Sequence, residues 1–395
     1  MTLTSLTLIT CYWVCLALVL YTYLFYPVIV WALAWCFGRD PQAPLAQDDE
    51  LPSVSLLIAA YNEELEIEGR LQNALAIDYP RDRFEVVIGS DGSSDATPAI
   101  VRRYEDQGVR LFDYKQRCGK ASILNAAIPQ LRGEIVLLSD ANTLYDTQAA
   151  RKLVRWFRTP QNGAVCGRLI LTDPQTGRNA DSLYWTYETF LKRCENRLGG
   201  LLGANGAIYA IRKREFTPIP SETIIDDFVI PLLAKIQTGC TILYDEEAIA
   251  YEETPANVSA EFHRRSRIGA GGFQSLGLLW PLINPCRGWV AFTFVSHKIL
   301  RWLCPFFLLG LLITNVALAF GESQSFRVLL LCQLAFYSVS GLVSFAPPGR
   351  RLLKPLRLTT MFTNMNIAIL VGFCRWAGRT QKATWRRTAR LAEVD

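Results

Sequence analysis

Residues 1–38 contain no Asp, Glu, Lys or Arg, and no other stretch constrains the fold of this chain as tightly. A helix of about 20 apolar residues already crosses a bilayer, whereas a soluble domain has no interior large enough to hide a longer one. Trp13, Tyr21, Tyr23, Tyr26, Trp31 and Trp35 are placed to sit near the interfaces. A cleaved signal peptide has a basic start and an apolar core of only about 7–15 residues, so this segment is expected to remain as a membrane span. Trp302 to Gly321 and Val328 to Gly349 are also free of charge and are expected to cross. The shorter stretch Leu358 to Cys374 carries Asn364 and Asn366.

Flanking charge gives an orientation. Arg39 and the basic loop Arg350 to Arg357 are both expected to stay cytosolic, which puts residues 40–300 inside, at a bacterial plasma membrane. A full crossing by Leu358 to Cys374 would then carry the basic tail outward, so that stretch is expected to be re-entrant, interfacial or otherwise unusually placed.

With half of 395 residues hydrophobic and 26 Gly, the chain has room for one medium domain besides its spans. The net charge is only +5, and the basic residues crowd the C-terminal end between and after apolar segments. That placement suits anionic lipid headgroups, not nucleic acid. Eleven cysteines without a CxxC pair indicate neither a disulfide framework nor a zinc site. The only histidines are His263 and His297, so any chemistry is expected to run on carboxylates. The expected organisation is an N-terminal span (1–38), a catalytic domain (50–255), interfacial helices (256–300), C-terminal transmembrane or interfacial helices (301–377) and a basic tail (378–395).

Between Pro52 and about Tyr251, short apolar runs alternate with helical stretches, the pattern of an α/β fold with a mainly parallel, doubly wound sheet. The expected strands are Val54 to Ala60, Phe84 to Ser90, Val109 to Tyr114, Glu134 to Ser139 and Ala164 to Leu171. Helices of about three turns each are expected at Glu63 to Ile77, Asp95 to Gln107, Ala121 to Leu131 and Thr147 to Phe157. Ligands of such sheets bind beyond the carboxyl ends of the strands. There the chain reads Tyr61-Asn62-Glu63-Glu64, Ser90-Asp91-Gly92-Ser93-Ser94-Asp95 and Ser139-Asp140-Ala141-Asn142. Asp95 precedes a helix and is expected to cap it. Asp91 and Asp140 end buried strands, where a carboxylate is costly without a donor or a metal. No GxxxxGK[ST] loop is present, so phosphates must be held otherwise. Asp140 and Asn142 offer hard oxygen ligands for Mg²⁺ or Mn²⁺ bridging a diphosphate.

Taken with Ala59 to Glu63, Gly119-Lys120 with Leu124-Asn125, Ile225-Asp226-Asp227 and Arg264-Arg265-Ser266-Arg267, these motifs resemble family 2 glycosyltransferases, the group of cellulose, hyaluronan and exopolysaccharide synthases. The resemblance runs over nearly the whole chain. It implies a GT-A type nucleotide-sugar domain in which Tyr61, Glu63 and Asp91 contact the nucleoside, Lys120 lies near it, and Asp140 with Asn142 replaces the family's metal-binding DxD. It also implies that Asp227 is the catalytic base, with Arg267 at the diphosphate and Gly206, Asp226 and Arg264 as candidates for the acceptor or the diphosphate. The chemistry agrees, because an inverting transferase needs a carboxylate to take the acceptor hydroxyl's proton. Asp226-Asp227 also reads as a helix N-cap pair, with Asp226 capping while Asp227 reacts. Gly199-Gly200 and Gly203-Ala204-Asn205-Gly206 fit either close approach of backbone to donor or acceptor, or a loop needing positive φ.

Where processive members carry QxxRW, this chain has Arg264-Arg265-Ser266-Arg267-Ile268. The charge for a diphosphate is kept, and an acceptor-stacking Trp is missing. The resemblance implies an inverting transfer from a nucleotide sugar, expected to be a UDP-sugar, to a lipid-linked or growing glycan acceptor in exopolysaccharide, capsule or glycolipid synthesis. Two alternatives remain open: a polyprenyl-phosphate glycosyltransferase, and a non-catalytic membrane component of a polysaccharide assembly complex.

Overall fold

The computed structural model describes residues 3–44, 51–173, 183–254, 258–321, 324–345 and 355–384. The chain divides into two compact units. One comprises Met1–Ile29, Val258–Phe273 and Phe294–Gln381; the other comprises Val30–Asn257, Gln274–Thr293 and Lys382–Asp395.

The N-terminal apolar segment forms Leu3–Leu20 (α1), a π-helical turn over Tyr21–Phe25, and Tyr26–Phe37 (α2). The second unit is then built on an eight-stranded sheet: Val54–Ala60 (β1), Phe84–Asp91 (β2), Val109–Tyr114 (β3), Ile135–Asp140 (β4), Leu144–Tyr145 (β5), Asn162–Thr172 (β6), Tyr209–Arg212 (β7) and Thr241–Glu253 (β8). Its order is β3-β2-β1-β4-β7-β6-β8-β5. All seven residues of β1 are buried, which is why its sequence reads as a continuous apolar run and not an alternating one. The helices of this unit are Ile67–Leu75 (α3), Thr97–Arg102 (α4), Lys120–Ala127 (α5), Ala149–Val154 (α6), Leu183–Leu198 (α7) and Asp226–Thr238 (α8).

All five expected strands are present, with ends displaced by two residues or fewer. The α/β class holds, but the sheet is mixed: β7 runs antiparallel to β4 and β6, and β5 antiparallel to β8. β7 is too short to show a pattern, and the Asp245-Glu246-Glu247 run interrupts the apolar residues of β8. The expected three-turn helices are shorter. α4 gives way to a 3₁₀ turn that ends at Gly108 in the left-handed region, and α5 gives way to a 3₁₀ turn containing Pro129, whose ring removes a backbone donor.

The remaining helices are Val258–Leu279 (α9), Trp289–Thr293 (α10), Leu300–Ala319 (α11), Gln324–Ser344 (α12) and Arg357–Ala377 (α13), with a π-helical stretch at Phe294–Ile299 joining α10 to α11. Among the described residues, three helical stretches are long and apolar enough to cross a membrane: Ser5–Phe37, Trp289–Ala319 and Gln324–Ser344. The second begins upstream of the expected Trp302 and so takes in Lys298 and Arg301. The third begins at Gln324, before the expected Val328, while residues 346–354, including Arg350, Arg351 and Lys354, lie outside the described residues, as does the tail beyond Thr384. α13 is an unbroken helix of 21 residues that contains the expected stretch Leu358 to Cys374. In the first unit, an added methyl at Gly372 would lie 2.5 Å from the Ser266 carbonyl oxygen, and one at Gly269 would lie 3.1 Å from the Cα of Ile369. Small residues thus let α9 and α13 meet backbone to backbone, a packing mode common among membrane helices.

Candidate active site

Three loops at the carboxyl ends of β1, β2 and β3 are tied into one platform. Asn62 sits at φ 53°, its side-chain oxygen accepts from the Ser94 N–H (2.8 Å), and its own N–H donates to Ser93 Oγ (3.2 Å). The Glu63 N–H donates to Thr97 Oγ1 (2.8 Å). The cap expected of Asp95 is corrected: Ala96 holds the cap position of α4, and Asp95, one residue before it, accepts from the Thr97 N–H (3.0 Å). Asp91 is fully buried, and its carboxylate accepts from the N–H groups of Cys118 (2.6 Å) and Gly119 (2.9 Å). The donor that sequence reasoning required for this carboxylate is therefore the loop leading into α5. Gly92, at φ 65°, passes under that loop; a β-carbon there would stand 2.7 Å from the Arg117 nitrogen. Arg117 in turn lies over the Tyr61 ring, 3.6 Å from its centroid. Nothing in the motifs pointed to Arg117.

Beside this platform, Lys120 and three carboxylates converge. Lys120 Nζ donates to Asp140 Oδ1 at 2.7 Å and stands 3.5 Å from Asp226 Oδ2. Burial pulls its ammonium down, but Asp140 and Asp226 outweigh that and hold it above the ordinary lysine range. Asp227 Oδ2 accepts from the Gly206 N–H at 2.8 Å, and Oδ1 accepts from the Phe228 N–H at 3.1 Å. Its carboxyl is raised by burial and by Asp226, against the opposing pull of Lys120 and the Gly206 N–H. Of the two readings of the glycine segments, positive φ is met at Gly199 (71°) and Gly203 (72°), while Gly206 lies against the catalytic candidate, where an added methyl would stand 3.3 Å from Asp227 Oδ2.

One expectation is corrected. Asp226 does not cap α8: Ile225 holds the cap position, Asp226 is the first helical residue, and its buried Oδ2 has no hydrogen-bond partner. The side chain is drawn instead toward Lys120, whose charge offsets the cost of burying it.

Two further buried groups escaped sequence reasoning. Arg70 on α3 is 1% exposed; it donates to Ser139 Oγ (3.2 Å) and Asn73 Oδ1 (2.9 Å) and lies 5.0 Å from the centroid of the Tyr145 ring. Burial brings it down to about 10, and Tyr145 and Asp140 work against that fall. A guanidinium thus sits directly beneath Ser139-Asp140. Tyr209 on β7 is fully buried with its hydroxyl unpartnered, and its ionisation is pushed well up by burial and by Asp226, Asp227 and Asp140. An isolated Arg in a helix and a Tyr in a four-residue strand carry no motif, and only the fold brings them to the site.

Among the described residues, no three His, Cys, Asp or Glu side chains are grouped closely enough to hold a metal by themselves. Asn142 Nδ2 donates to Glu252 Oε1 (2.9 Å), which leaves its carbonyl oxygen as the acceptor end. Asp140, the last residue of β4, and Asn142, two residues on, are hard oxygen donors of the kind that a divalent cation takes when its remaining ligands come from a diphosphate and water.

Arg264 and Arg267 lie on α9, within the first unit. Arg264 forms a two-bond pair with Glu261 (2.8 and 3.1 Å), which also accepts from Arg265 (2.6 Å).

Residues 55–217 match the family model described as Glycosyl transferase family 2. The poly-beta-1,6-N-acetyl-D-glucosamine synthase of Staphylococcus aureus is 27% identical over 277 residues, covering 64% of this chain and 65% of that protein. The beta-monoglucosyldiacylglycerol synthase of Trichormus variabilis is 28% identical over 271 residues, covering 64% of this chain and 56% of its own length. The chain thus spans about 65% of the length of the first of these relatives. Among solved structures, a mannosyltransferase from Pyrobaculum calidifontis, in complex with GDP-Man and Mn²⁺, superposes with a TM-score of 0.72 at 21% identity, covering 94% of this chain and all of that one. At that identity the likeness establishes a shared fold.

Proposed function

We infer that this chain, whose residues 55–217 match the family 2 glycosyl transferase model, is an inverting glycosyltransferase that moves a sugar from a nucleotide-sugar donor to a lipid-linked or growing glycan acceptor. The observation that carries this reading is Asp227. It is a half-buried carboxylate held by the Gly206 N–H at 2.8 Å and raised by burial and by Asp226. A base works best when its pKa approaches the working pH, and this environment moves Asp227 in that direction.

In the proposed reaction the acceptor hydroxyl oxygen forms a bond to the anomeric carbon from the face opposite the diphosphate. The bond from that carbon to the diphosphate oxygen breaks, its electron pair leaves with the nucleoside diphosphate, and the hydroxyl proton passes to Asp227. Tyr61 with Arg117 forms the surface for the nucleoside, and Asp91 acts through the 118–119 loop that it holds. Lys120 counters negative charge beside Asp140, while Asp227 is kept oriented by Gly206. Bound at Asp140, Asn142 and the donor diphosphate, Mg²⁺ or Mn²⁺ would supply charge neutralisation for the leaving group. Arg267 and Arg264 are assigned to the diphosphate or acceptor.

The S. aureus and Trichormus relatives are named for making a glycan and a glycolipid, which supports a sugar transfer at a membrane. Three helices of spanning length among the described residues support an integral protein; the cytosolic face of a bacterial plasma membrane is assigned to the catalytic domain from the flanking charge at Arg39 and Arg350 to Arg357.

The test is release of nucleoside diphosphate by the purified protein in lipid, with Mn²⁺ or Mg²⁺ and UDP-, GDP- and dTDP-sugars, in wild type and Asp227→Asn. Metal-dependent release from one donor, lost in the variant, supports the proposal. Substantial activity left in the variant means that the acceptor is a lipid phosphate, which needs no base. No release from any donor with bacterial lipid extract as acceptor points to a non-catalytic component.

A further inference from the structure

A second cavity in the sheet-bearing unit, about 430 Å³, lies where three helical segments end, and Lys235, Arg287 and Trp289 are among its lining residues. Lys235 belongs to α8, the helix that starts at the catalytic carboxylates, but it sits at the opposite end, in the last turn. At Gly199, Gly239 and Gly288 of the lining, an added methyl would meet nothing within 4 Å, so the walls leave open space.

The charge lining this space is one-sided. Lys235 Nζ donates to the Cys240 carbonyl (3.2 Å), and Arg287 Nη2 donates to the Ile236 carbonyl (3.4 Å). Among the described residues, neither cation is paired with a carboxylate, and most of their donors remain unspent on protein atoms. Burial and the like charge of Arg287 pull the Lys235 ammonium below its ordinary value. Two partly buried cations facing one cavity without an anion are an unbalanced arrangement that an anionic ligand would complete.

The surroundings indicate which anion. Trp289 packs on Phe37, with ring centroids 6.2 Å apart, and Phe37 is the last residue of the apolar stretch Ser5–Phe37. Two residues further, the Arg39 N–H donates to the Arg197 carbonyl (2.9 Å), next to Leu198 of the lining. The lining is therefore tied to the end of the apolar stretch Ser5–Phe37, an end that falls near the headgroups where that stretch spans. Trp280 (67% exposed) and Ile283 (44% exposed), a few residues before Arg287 in the chain, are exposed apolar side chains. Trp at the interface with Lys and Arg reaching for phosphate is the usual chemistry of lipid contact.

We propose that this cavity binds the phosphate of an anionic phospholipid headgroup through Lys235 and Arg287, with Trp289 against the glycerol and upper acyl region. The proposal rests on α1 and α2 being a membrane span and is independent of the transfer reaction.

The test follows thermal unfolding of the full-length protein in detergent while phosphatidylglycerol, phosphatidylcholine or inorganic phosphate is added. Phosphatidylglycerol is expected to raise the Tm of wild type, and the midpoint of that titration is expected to weaken at least about tenfold in Lys235→Gln/Arg287→Gln, about 1.4 kcal/mol. Lys235→Arg should retain the response. The proposal is overturned if the double variant responds like wild type, if phosphatidylcholine acts equally well, or if inorganic phosphate alone reproduces the shift. Should the double variant not fold, native mass spectrometry of delipidated wild type decides: one retained phosphatidylglycerol in preference to phosphatidylcholine supports the site, and no preference overturns it. Recovery of the protein from cells without detergent would sink the membrane reading separately.

Discussion

Lys120 Nζ lies 2.7 Å from Asp140 Oδ1, so the first helical residue of α5 neutralises the last residue of β4. It is also the cation that opposes the upward shift of Asp227. Lys120→Met should therefore do more than weaken donor binding. With the cation gone, Asp227 rises further, and the acid limb of the kcat/KM profile should move to higher pH along with a rise in KM. A pH-rate series on both proteins checks this, and an unmoved acid limb would separate Lys120 from Asp227.

Asp227→Asn should lower turnover by about 10²–10⁴-fold, the range for loss of a general base, while leaving the fold more stable at neutral pH. The sign follows from linkage. A carboxyl raised above its unfolded value of 3.8 binds its proton more tightly in the folded state. Its contribution to stability is therefore full below 3.8 and is lost as pH rises through the folded value. The Tm advantage of the variant should be present at pH 8 and shrink toward pH 4; a variant less stable than wild type at pH 8 would refute this account.

Arg70→Met preserves volume but removes the guanidinium beneath Ser139 and Asp140. Because replacing a buried charge with an apolar side chain is often near neutral for stability, the Tm should change little. Loss of the Ser139 contact should reduce kcat/KM about tenfold, on the scale of one charge-assisted hydrogen bond. Parallel melting curves and kinetics distinguish this positioning role from a purely structural one.

Asn142→Asp would complete an acidic pair with Asp140, yet it would also set a carboxylate against Glu252, which now accepts a 2.9 Å bond from the Asn142 amide. We expect a lower Tm than wild type in EDTA, recovered by Mn²⁺ or by a second change, Glu252→Gln. Unchanged stability in EDTA would mean that the two side chains do not repel one another.

Gly92→Ala places a methyl 2.7 Å from the Arg117 nitrogen at a backbone φ of 65°. A cost of about 1–3 kcal/mol is expected, together with loss of donor affinity as Arg117 leaves Tyr61. Chemical denaturation and nucleotide titration measure the two effects.

The parallel strands were legible because both of their faces are buried, leaving apolar runs that end abruptly in Asp91 and Asp140. The antiparallel strands β7 and β5 were not, since both are short, and neither was β8, which runs parallel to β6 but is crowded with acids and shows no clean period. Asp226 misled for a related reason. Its position before an apolar helix looks like a cap, and only the spatial arrival of Lys120 from a distant element gives it another partner. Arg70 and Tyr209 illustrate the same limit: their importance comes from what β4 and α8 bring against them, not from their sequence neighbours.

Tyr209 gives the protein an internal spectroscopic gauge. Its hydroxyl is sealed from solvent and unpartnered, and it feels all three site carboxylates. A fluorinated tyrosine introduced at that one position would therefore carry the charge state of the cluster in its ¹⁹F resonance. Proton uptake, cation entry and donor arrival would each shift the signal, and so become visible in a resting enzyme before any sugar is transferred.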